Sequence, residues 1–497
     1  MKPFQNVELW FVAGSQHLYG AAALQQVAHN ATTIAASLSA HPDQPVSIVC
    51  KPIVTTAEEI SACCTQANAE PRCIGLIFWM HTFSPSQMWI EGLGLLAKPF
   101  VHLHTQFNSA LPWQSIDMDF MNLNQSAHGG REFGFMVSRL GIAREVIVGH
   151  WQESATRKRL GDWSRVAMGA HELRRLKVAR FGDNMRNVAV TEGNKVSARA
   201  RFGVSVGGYG IGDLIASINA VSQADVKRLV DEYKSSYTLG AEAQSEAGEA
   251  ALAREARVEQ GLRSFLQQGG FGAFTDTFED LHGLEALPGL AIQRLMAQGY
   301  GFGAEGDWKT AALLRVAKVM ASGLDGGTSF MEDYTYHFDT TGDMVLGAHM
   351  LEVCPSIAAH TPQLSIHPLG IGGKLPPVRL IFTGATGPAI NASLIDLGHR
   401  FRLILNKVDA VQPPGALPLL PVARALWKPQ PNLSTAAEAW IRAGGAHHTV
   451  YSQSLSSYHF EQLAEMFGIE CVCIDQSTQM SGWKQQLRSN EVYYRNF

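Results

Sequence analysis

Two carboxylates and two imidazoles, scattered through the second half of the chain, are the residues best suited to chemistry. Glu305 stands in Gly301-Phe302-Gly303-Ala304-Glu305-Gly306-Asp307-Trp308, between a strand-like run and a helix start. Open α/β sheets present functional groups at such junctions, although the helix dipole also favours a plain loop carboxylate there. On a strand from Ser329 to Asp339, Glu332 shares a face with Phe330, Tyr334, Tyr336 and Phe338, an aromatic setting in which a carboxylate needs a partner. His349 shares a face with Val345, Gly347, Leu351 and Val353. Alone, such a histidine is more often a hydrogen-bonded core residue than a ligand. Gly444-Gly445-Ala446-His447-His448-Thr449 adds two histidines at the head of a short β-like run, of which only one ordinarily faces a common site. Glu305, Glu332, His349 and one of His447 or His448 make a mixed oxygen and nitrogen set. It suits a divalent first-row metal such as Mn²⁺, with positions left for substrate oxygens. The four are too far apart in sequence for a local metal motif, so spacing alone gives the set little specificity.

Glycine-rich loops offer a competing chemistry. Gly14-Ser15-Gln16-His17-Leu18-Tyr19-Gly20 follows the first strand but lacks the G-x-G-x-x-G spacing that brings a pyrophosphate against a helix N-terminus. Gly207-Gly208-Tyr209-Gly210-Ile211-Gly212 and Gly370-Ile371-Gly372-Gly373-Lys374 fail the dinucleotide and P-loop spacings too. Plain turns or bulges account for all three.

The elements that must position these groups are those of an α/β protein. The first third alternates strands at Val7–Ala13, Val46–Val54, Cys73–Met80, Phe100–His104 and Glu145–Val148 with helices at Ala21–Leu38, Ala57–Ala69, Met88–Ala97 and Gly130–Leu140. That alternation predicts a doubly wound parallel sheet. A second round opens near Lys177 with the strand Val178–Phe181. It contains a weakly structured Val204–Gly212, helical character at Ala220–Tyr233 and Leu239–Gln267, and a helix Trp308–Met320. After Gly326-Gly327 the texture changes to strands rich in Thr, Val and aromatics through to about residue 425, which reads as a mainly β domain. The expected domains are therefore 1–176, 177–327 and 328–497.

Bulk properties narrow the function. At 497 residues the chain exceeds a single hydrophobic core, and 46% hydrophobic with 17% charged residues is an ordinary globular composition. The net charge of −4 arises from 40 basic and 44 acidic residues without a long basic block, which argues against a nucleic-acid partner. Seven cysteines, without C-x-x-C spacing, fit a reducing compartment. The longest apolar run, Cys73 to Met80, falls far short of the roughly 20 residues that cross a bilayer. No export signal is legible at the N-terminus, so a cytoplasmic protein without a membrane partner is expected.

Several long motifs go further. Trp10-Phe11-Val12-Ala13-Gly14-Ser15-Gln16-His17-Leu18-Tyr19-Gly20, Asn124-Gln125-Ser126-Ala127-His128-Gly129 and Arg180-Phe181-Gly182-Asp183-Asn184-Met185-Arg186 lie in the first half. The Glu305 segment through Lys309, Ser329-Phe330-Met331-Glu332-Asp333-Tyr334, Gly347-Ala348-His349-Met350-Leu351-Glu352-Val353-Cys354-Pro355, the double-histidine motif and Asn490-Glu491-Val492-Tyr493-Tyr494 follow. Through them the chain resembles the L-arabinose isomerase family over essentially its whole length. The resemblance implies two Rossmann-like α/β domains followed by a C-terminal β-barrel domain. It implies one Mn²⁺ per subunit, replaceable by Co²⁺ or Mg²⁺, on Glu305, Glu332, His349 and, of the two histidines, His448. Glu305 and Glu332 would also be the acid and base that convert L-arabinose to L-ribulose through a cis-enediol, with D-galactose to D-tagatose as a side activity. A small sugar would be held by residues matching Gln16, Leu18, Tyr19, Gln125, His128, Met185, Phe278 and Ile371. A homo-hexamer is implied, with one subunit's N-terminal domain completing a neighbour's pocket.

A nicotinamide dehydrogenase, suggested by the doubly wound half, is opposed by the missing glycine fingerprint. A non-catalytic sugar-binding protein of two-domain α/β shape would call for export. L-fucose isomerase-like chemistry is the nearest neighbour, and the motifs fit the arabinose family better.

Overall fold

Seven consecutive buried residues, Cys73–Trp79, form the middle of the first sheet. A strand apolar on both faces is what a parallel sheet covered by helices requires. The structure is a computed structural model that describes residues 3–340, 342–370 and 373–494. It divides into two compact units, Met1–His171 and Glu172–Phe497. In the first, β1 (Phe4–Ala13), β2 (Val46–Cys50), β3 (Cys73–Trp79), β4 (Phe100–His104) and β5 (Glu145–Val148) pair in parallel in the order β2-β1-β3-β4-β5. The order reverses at β1 and β3, the switch point of a doubly wound sheet. The helix Ala57–Ala69 has the expected bounds, and its start is fixed by Thr56, whose hydroxyl accepts the Glu59 N–H at 3.2 Å. The expected helix Met88–Ala97 is instead a 3₁₀ turn, Ser86–Trp89, running into a short α-helix, Ile90–Leu95. The helix expected from Gly130 begins earlier, at Ser126, and ends at Arg139.

The second unit holds a second parallel sheet, of β6 (Lys177–Phe181), β7 (Ser205–Tyr209), β9 (Ala273–Asp276) and β10 (Gly301–Gly303), in the order β10-β9-β6-β7. A short β8 (Thr238–Leu239) pairs elsewhere, beside β13 (Gln363–Ile366) and β14 (Val378–Ile381). Val204–Gly212, expected to be weakly structured, supplies β7. Gly207 and Gly208 remove the side-chain signal of a strand, yet β7 is a sheet edge held by backbone pairing with all of β6.

The β-rich region closes on itself. β11 (Thr328–His337), β12 (Met344–Ala348), β15 (Gly387–Asp396), β16 (Phe401–Val411), β17 (Arg424–Pro429) and β18 (His448–Ser452) form the ring β15-β18-β11-β12-β17-β16, closed by β15 against β16. Every pairing in the ring is antiparallel. The long β16 serves two partners along its other edge, β17 through Val408–Val411 and β19 (Glu470–Ile474), in parallel, through Arg402–Asn406. Closure removes the exposed edges that an open antiparallel sheet would carry. Met331, Val345, Val408, Trp427 and Tyr451 belong to one buried cluster. Gly347 makes room for it, since a Cβ there would lie 2.0 Å from the Trp427 ring. Past β17, helices Leu433–Ala443, Ser457–Phe467 and Met480–Tyr493 alternate with β18 and β19. Among the described residues no helix is long and apolar enough to cross a membrane.

Candidate metal centre

Strand register brings three of the four predicted ligands together. Glu332 on β11 lies directly opposite His448 on β18 and opposite Ala348 on β12. Cross-strand partners present their side chains on one face, and His349 is the first residue beyond β12. It is thus a residue of the turn, not of the strand first expected for it. The aromatic face expected around Glu332 also stops short. Asp333 pairs with Gly347 and Thr335 with Leu346, so Tyr334 is one residue too many and the alternation slips. Tyr334, Tyr336 and Phe338 are exposed, whereas Phe330 stays buried with its ring edge-to-face on both imidazoles, 5.1 Å from His349 and 5.0 Å from His448.

Glu305 arrives from the second sheet, at the end of β10 and ahead of the helix Trp308–Met320. Its φ of 60° and the 79° of Gly306 place two successive residues in the left-handed region. For a non-glycine this conformation is uncommon and costs energy, which makes it a mark of a functional turn. The turn is pinned on both sides. Met185 N–H donates to the Glu305 carbonyl at 3.0 Å, and Gly306 N–H donates to the Asp276 carbonyl at 2.9 Å. Asp307 then caps the helix, accepting the Thr310 N–H at 3.3 Å.

Ligand atoms of Glu305, His349 and His448 all lie within 4.8 Å of one another, a group able to hold a metal ion. The fourth expected ligand adjoins it, with Glu332 Oε2 3.8 Å from His349 Nε2. Both imidazoles are oriented for ligation. His448 Nδ1 meets Asp307 Oδ2 at 3.3 Å, and His349 Nδ1 meets Glu352 Oε2 in a short hydrogen bond. A carboxylate at Nδ1 places the proton there and leaves the Nε2 lone pair for a metal. His448 Nε2 is buried and has no hydrogen-bond partner, which an ion at the centre would supply. The residues present therefore fit a divalent cation.

The charges agree with this arrangement. Burial would raise the Glu305 carboxyl, but the hydrogen bond from His447 and the surrounding imidazoles outweigh it and hold it below its ordinary value. Burial would likewise depress His349, yet Glu352, Glu332 and Glu305 lift it to about 9. Burial lowers His448 against the pull of Asp307. Asp276 and Asp333 are pushed up to about 7, chiefly by burial, with Glu352 and Glu332 respectively as neighbouring carboxylates.

Sequence reasoning missed Asp307, Glu352 and Lys309, and kept His447 only as the alternative to His448. His447 Nε2 lies 3.6 Å from Glu305 Oε2, so both members of the histidine pair approach that carboxylate. His447 precedes β18, and strand alternation does not bind it. Asp307 and Glu352 orient the two ligand imidazoles. Lys309, 1% exposed, donates to the carbonyls of Val190, Thr191 and Glu192 and to Asp307 Oδ1 at 2.7–3.1 Å. Its only sequence signal was a lysine in the first turn of a helix, where the dipole disfavours it unless it has work elsewhere.

The residues expected to bind substrate fall in both units. In the first, Gln125 Nε2 donates to Tyr19 Oη at 2.9 Å, and Gln125 Oε1 lies 3.0 Å from His128 Nδ1, so these three make one hydrogen-bonded cluster. Gln16 is half-buried and Leu18 is 84% exposed, both in the segment leading to the helix Gly20–Ala40. In the second, Met185 is tied to Glu305 as described, and Phe278 follows β9. Ile371 lies outside the described residues.

Comparison with known proteins agrees with these features. Models of the L-arabinose isomerase N-terminal, central and C-terminal domains match residues 3–175, 177–323 and 327–470. The chain is 60% identical over 496 residues to an L-arabinose isomerase of Geobacillus thermodenitrificans, covering 100% of both chains. It is 58% identical over 497 residues to that of Serratia proteamaculans, covering 100% of this chain and 99% of the relative. The enzyme of Geobacillus stearothermophilus is 59% identical over 496 residues, again with full coverage. With its whole length matched at this identity, the chain belongs to the L-arabinose isomerase family, a family of isomerase enzymes.

Proposed function

We propose that the protein is a manganese-dependent aldose–ketose isomerase that converts L-arabinose to L-ribulose at the Glu305, Glu332, His349 and His448 centre. The observation that carries this reading is the convergence of two carboxylates and two imidazoles, each imidazole turned by its own carboxylate so that Nε2 faces inward. Glu305, Glu332, His349 and His448 would hold a divalent cation, which would supply Lewis-acid stabilisation of the negative charge that develops on the sugar. Mn²⁺ is the ion assigned, with Co²⁺ or Mg²⁺ as substitutes, because the donor set mixes hard oxygen with imidazole nitrogen.

The protein's own groups move the protons. Isomerisation takes a proton from C2 and returns one to C1, while a hydroxyl proton passes from O2 to O1 through a cis-enediol. Glu305 and Glu332 form the acid and base pair, one serving carbon and the other oxygen, which contributes roughly 10² to 10⁴ in rate. Asp307 and Glu352 hold the imidazoles still. Met185 and Phe278, at the C-terminal ends of β6 and β9, lie where α/β sheets receive ligands. Gln16, Leu18, Tyr19, Gln125, His128 and Ile371 are assigned to the sugar with them. D-galactose, which shares the configuration at the reacting carbons, is assigned as a slower substrate giving D-tagatose. A cytoplasmic homo-hexamer of three-domain subunits (1–176, 177–327 and 328–497) is the assembly that goes with this reading. Leu18, exposed beside the Tyr19–Gln125–His128 cluster, is available to a neighbouring subunit.

The test is ketose formation from a panel of aldoses, with chelator and after restoring Mn²⁺. L-ribulose from L-arabinose, lost on chelation and restored by the metal, is the expected result. No ketose from L-arabinose in the metal-loaded protein overturns the proposal. Solvent deuterium in the product supports the enediol route, and its complete absence favours a hydride shift between C1 and C2.

A further inference from the structure

A cleft of about 430 Å³ in the second unit shares no lining residue with the metal centre. Two arginines converge in it on one residue. The Arg174 guanidinium lies 4.9 Å from the centre of the Phe467 ring, and Arg201 Nη1 reaches the Phe467 carbonyl oxygen at 3.5 Å. Neither forms an ion pair with a carboxylate among the described residues. Holding like charges about one residue is unfavourable unless something of opposite sign joins them.

Among the described residues, no carboxylate of the wall is paired with either arginine. Arg400, 8% exposed, gives Nε to Glu470 at 2.6 Å and Nη1 to Glu491 at 2.7 Å, leaving Nη2 without a partner. Glu470 is shared with Arg402 at 2.9 Å, so these two arginines and two glutamates balance. Asp396 is the only carboxylate among the lining residues, and backbone N–H groups of Asn194 and Gly398 occupy its two oxygens at 2.7 Å each. Guanidinium forks match the oxygens of a phosphate. The volume falls in the range of roughly 300–1,000 Å³ typical of small-molecule sites, larger than a bare phosphate needs. Phe467 and Tyr494 are also among the lining residues. We propose that this cleft binds a phosphomonoester of a small organic molecule, with Arg174 and Arg201 gripping the phosphate.

Calorimetric titration of the metal-loaded enzyme with D-ribose 5-phosphate, D-ribose and inorganic phosphate tests this. The sugar phosphate is expected to bind saturably, more tightly than inorganic phosphate, while D-ribose gives no such binding in the cleft. Excess L-arabinose should leave the sugar phosphate's affinity unchanged. Arg174→Gln and Arg201→Gln should each weaken binding about tenfold or more, the loss of one charge-assisted fork. Absence of saturable binding, displacement by L-arabinose, or equal affinity for inorganic phosphate overturns the proposal. So does a pair of variants that bind the sugar phosphate like the parent protein while melting at a lower temperature. That result would make the arginines supports for the end of the helix Ser457–Phe467 and nothing more. The arginine variants decide the matter whether or not L-arabinose proves to be the substrate.

Discussion

At the scale of single residues, the proposed function separates groups that would act on substrate from groups that orient the ligands, and the two kinds should fail differently. Under the proposed mechanism, removing either carboxylate would delete a proton carrier, so Glu305→Ala and Glu332→Ala are each expected to lower turnover by at least roughly 10². Near-parental rates in either metal-loaded variant would remove that glutamate from the chemistry. Asp307 acts one step back, through the 3.3 Å contact with His448 Nδ1. Asp307→Asn keeps the size but loses the charge that fixes the imidazole, and metal affinity is expected to fall about 10- to 100-fold. Competition with a fluorescent chelator measures this without reference to catalysis, and an unchanged affinity would show that His448 is oriented by its burial alone. Motifs named Glu305, Glu332, His349 and His448, but Asp307 and Glu352 stayed hidden. A carboxylate that orients a histidine 141 positions away leaves no periodicity to read.

At the scale of elements, the turn after β10 does the most positioning for its length. A Cβ on Gly306 would lie 2.6 Å from Asn184 Cα and 2.7 Å from the Asp183 carbonyl, and the residue's φ of 79° is strained for any L side chain. Gly306→Ala must therefore push the turn away from the β6 loop, carrying Glu305 with it. A loss of about 1–3 kcal/mol in stability is expected, together with weaker metal binding. Parallel denaturation and metal titrations check both, and a variant that is destabilised yet binds metal normally would uncouple the turn from the site. Elements with strong side-chain patterns were legible in advance. Ala57–Ala69, Phe100–His104, Glu145–Val148 and Trp308–Met320 have the bounds expected of them. Those that rest on backbone pairing were not. β7 carries two glycines and little pattern, and the extra residue at Tyr334 breaks an alternation that looked regular. Closure of the ring depends on β18, which pairs with β11 and β15 across long stretches of sequence, and local pattern does not encode such partners.

At the scale of the whole molecule, stability should carry a pH signature set by a buried carboxyl outside the proposed metal ligands. Glu255, on the helix Glu246–Gly269, is 3% exposed and accepts the Ala291 N–H at 2.7 Å, tying two helices of the second unit together. Burial drives its carboxyl up to about 8, against the lowering effect of that hydrogen bond and with help from the negative charge of Glu259. The folded protein thus holds a proton here that the unfolded chain, with a value near 4.5, releases. Between those two values the native state binds more protons, so the contribution is fully present at acid pH and is lost as pH rises toward 8. Glu255→Gln keeps an oxygen for the Ala291 N–H and stays neutral at every pH. It should match the parent near pH 5 and exceed it near pH 8 by an amount on the order of a few kcal/mol. Denaturation midpoints at the two pH values, with amide exchange in the helix Gly289–Ala297 as the local readout, measure this difference. If the gap between parent and variant stays constant from pH 5 to 8, Glu255 is ionised throughout and its charge is balanced within the second unit.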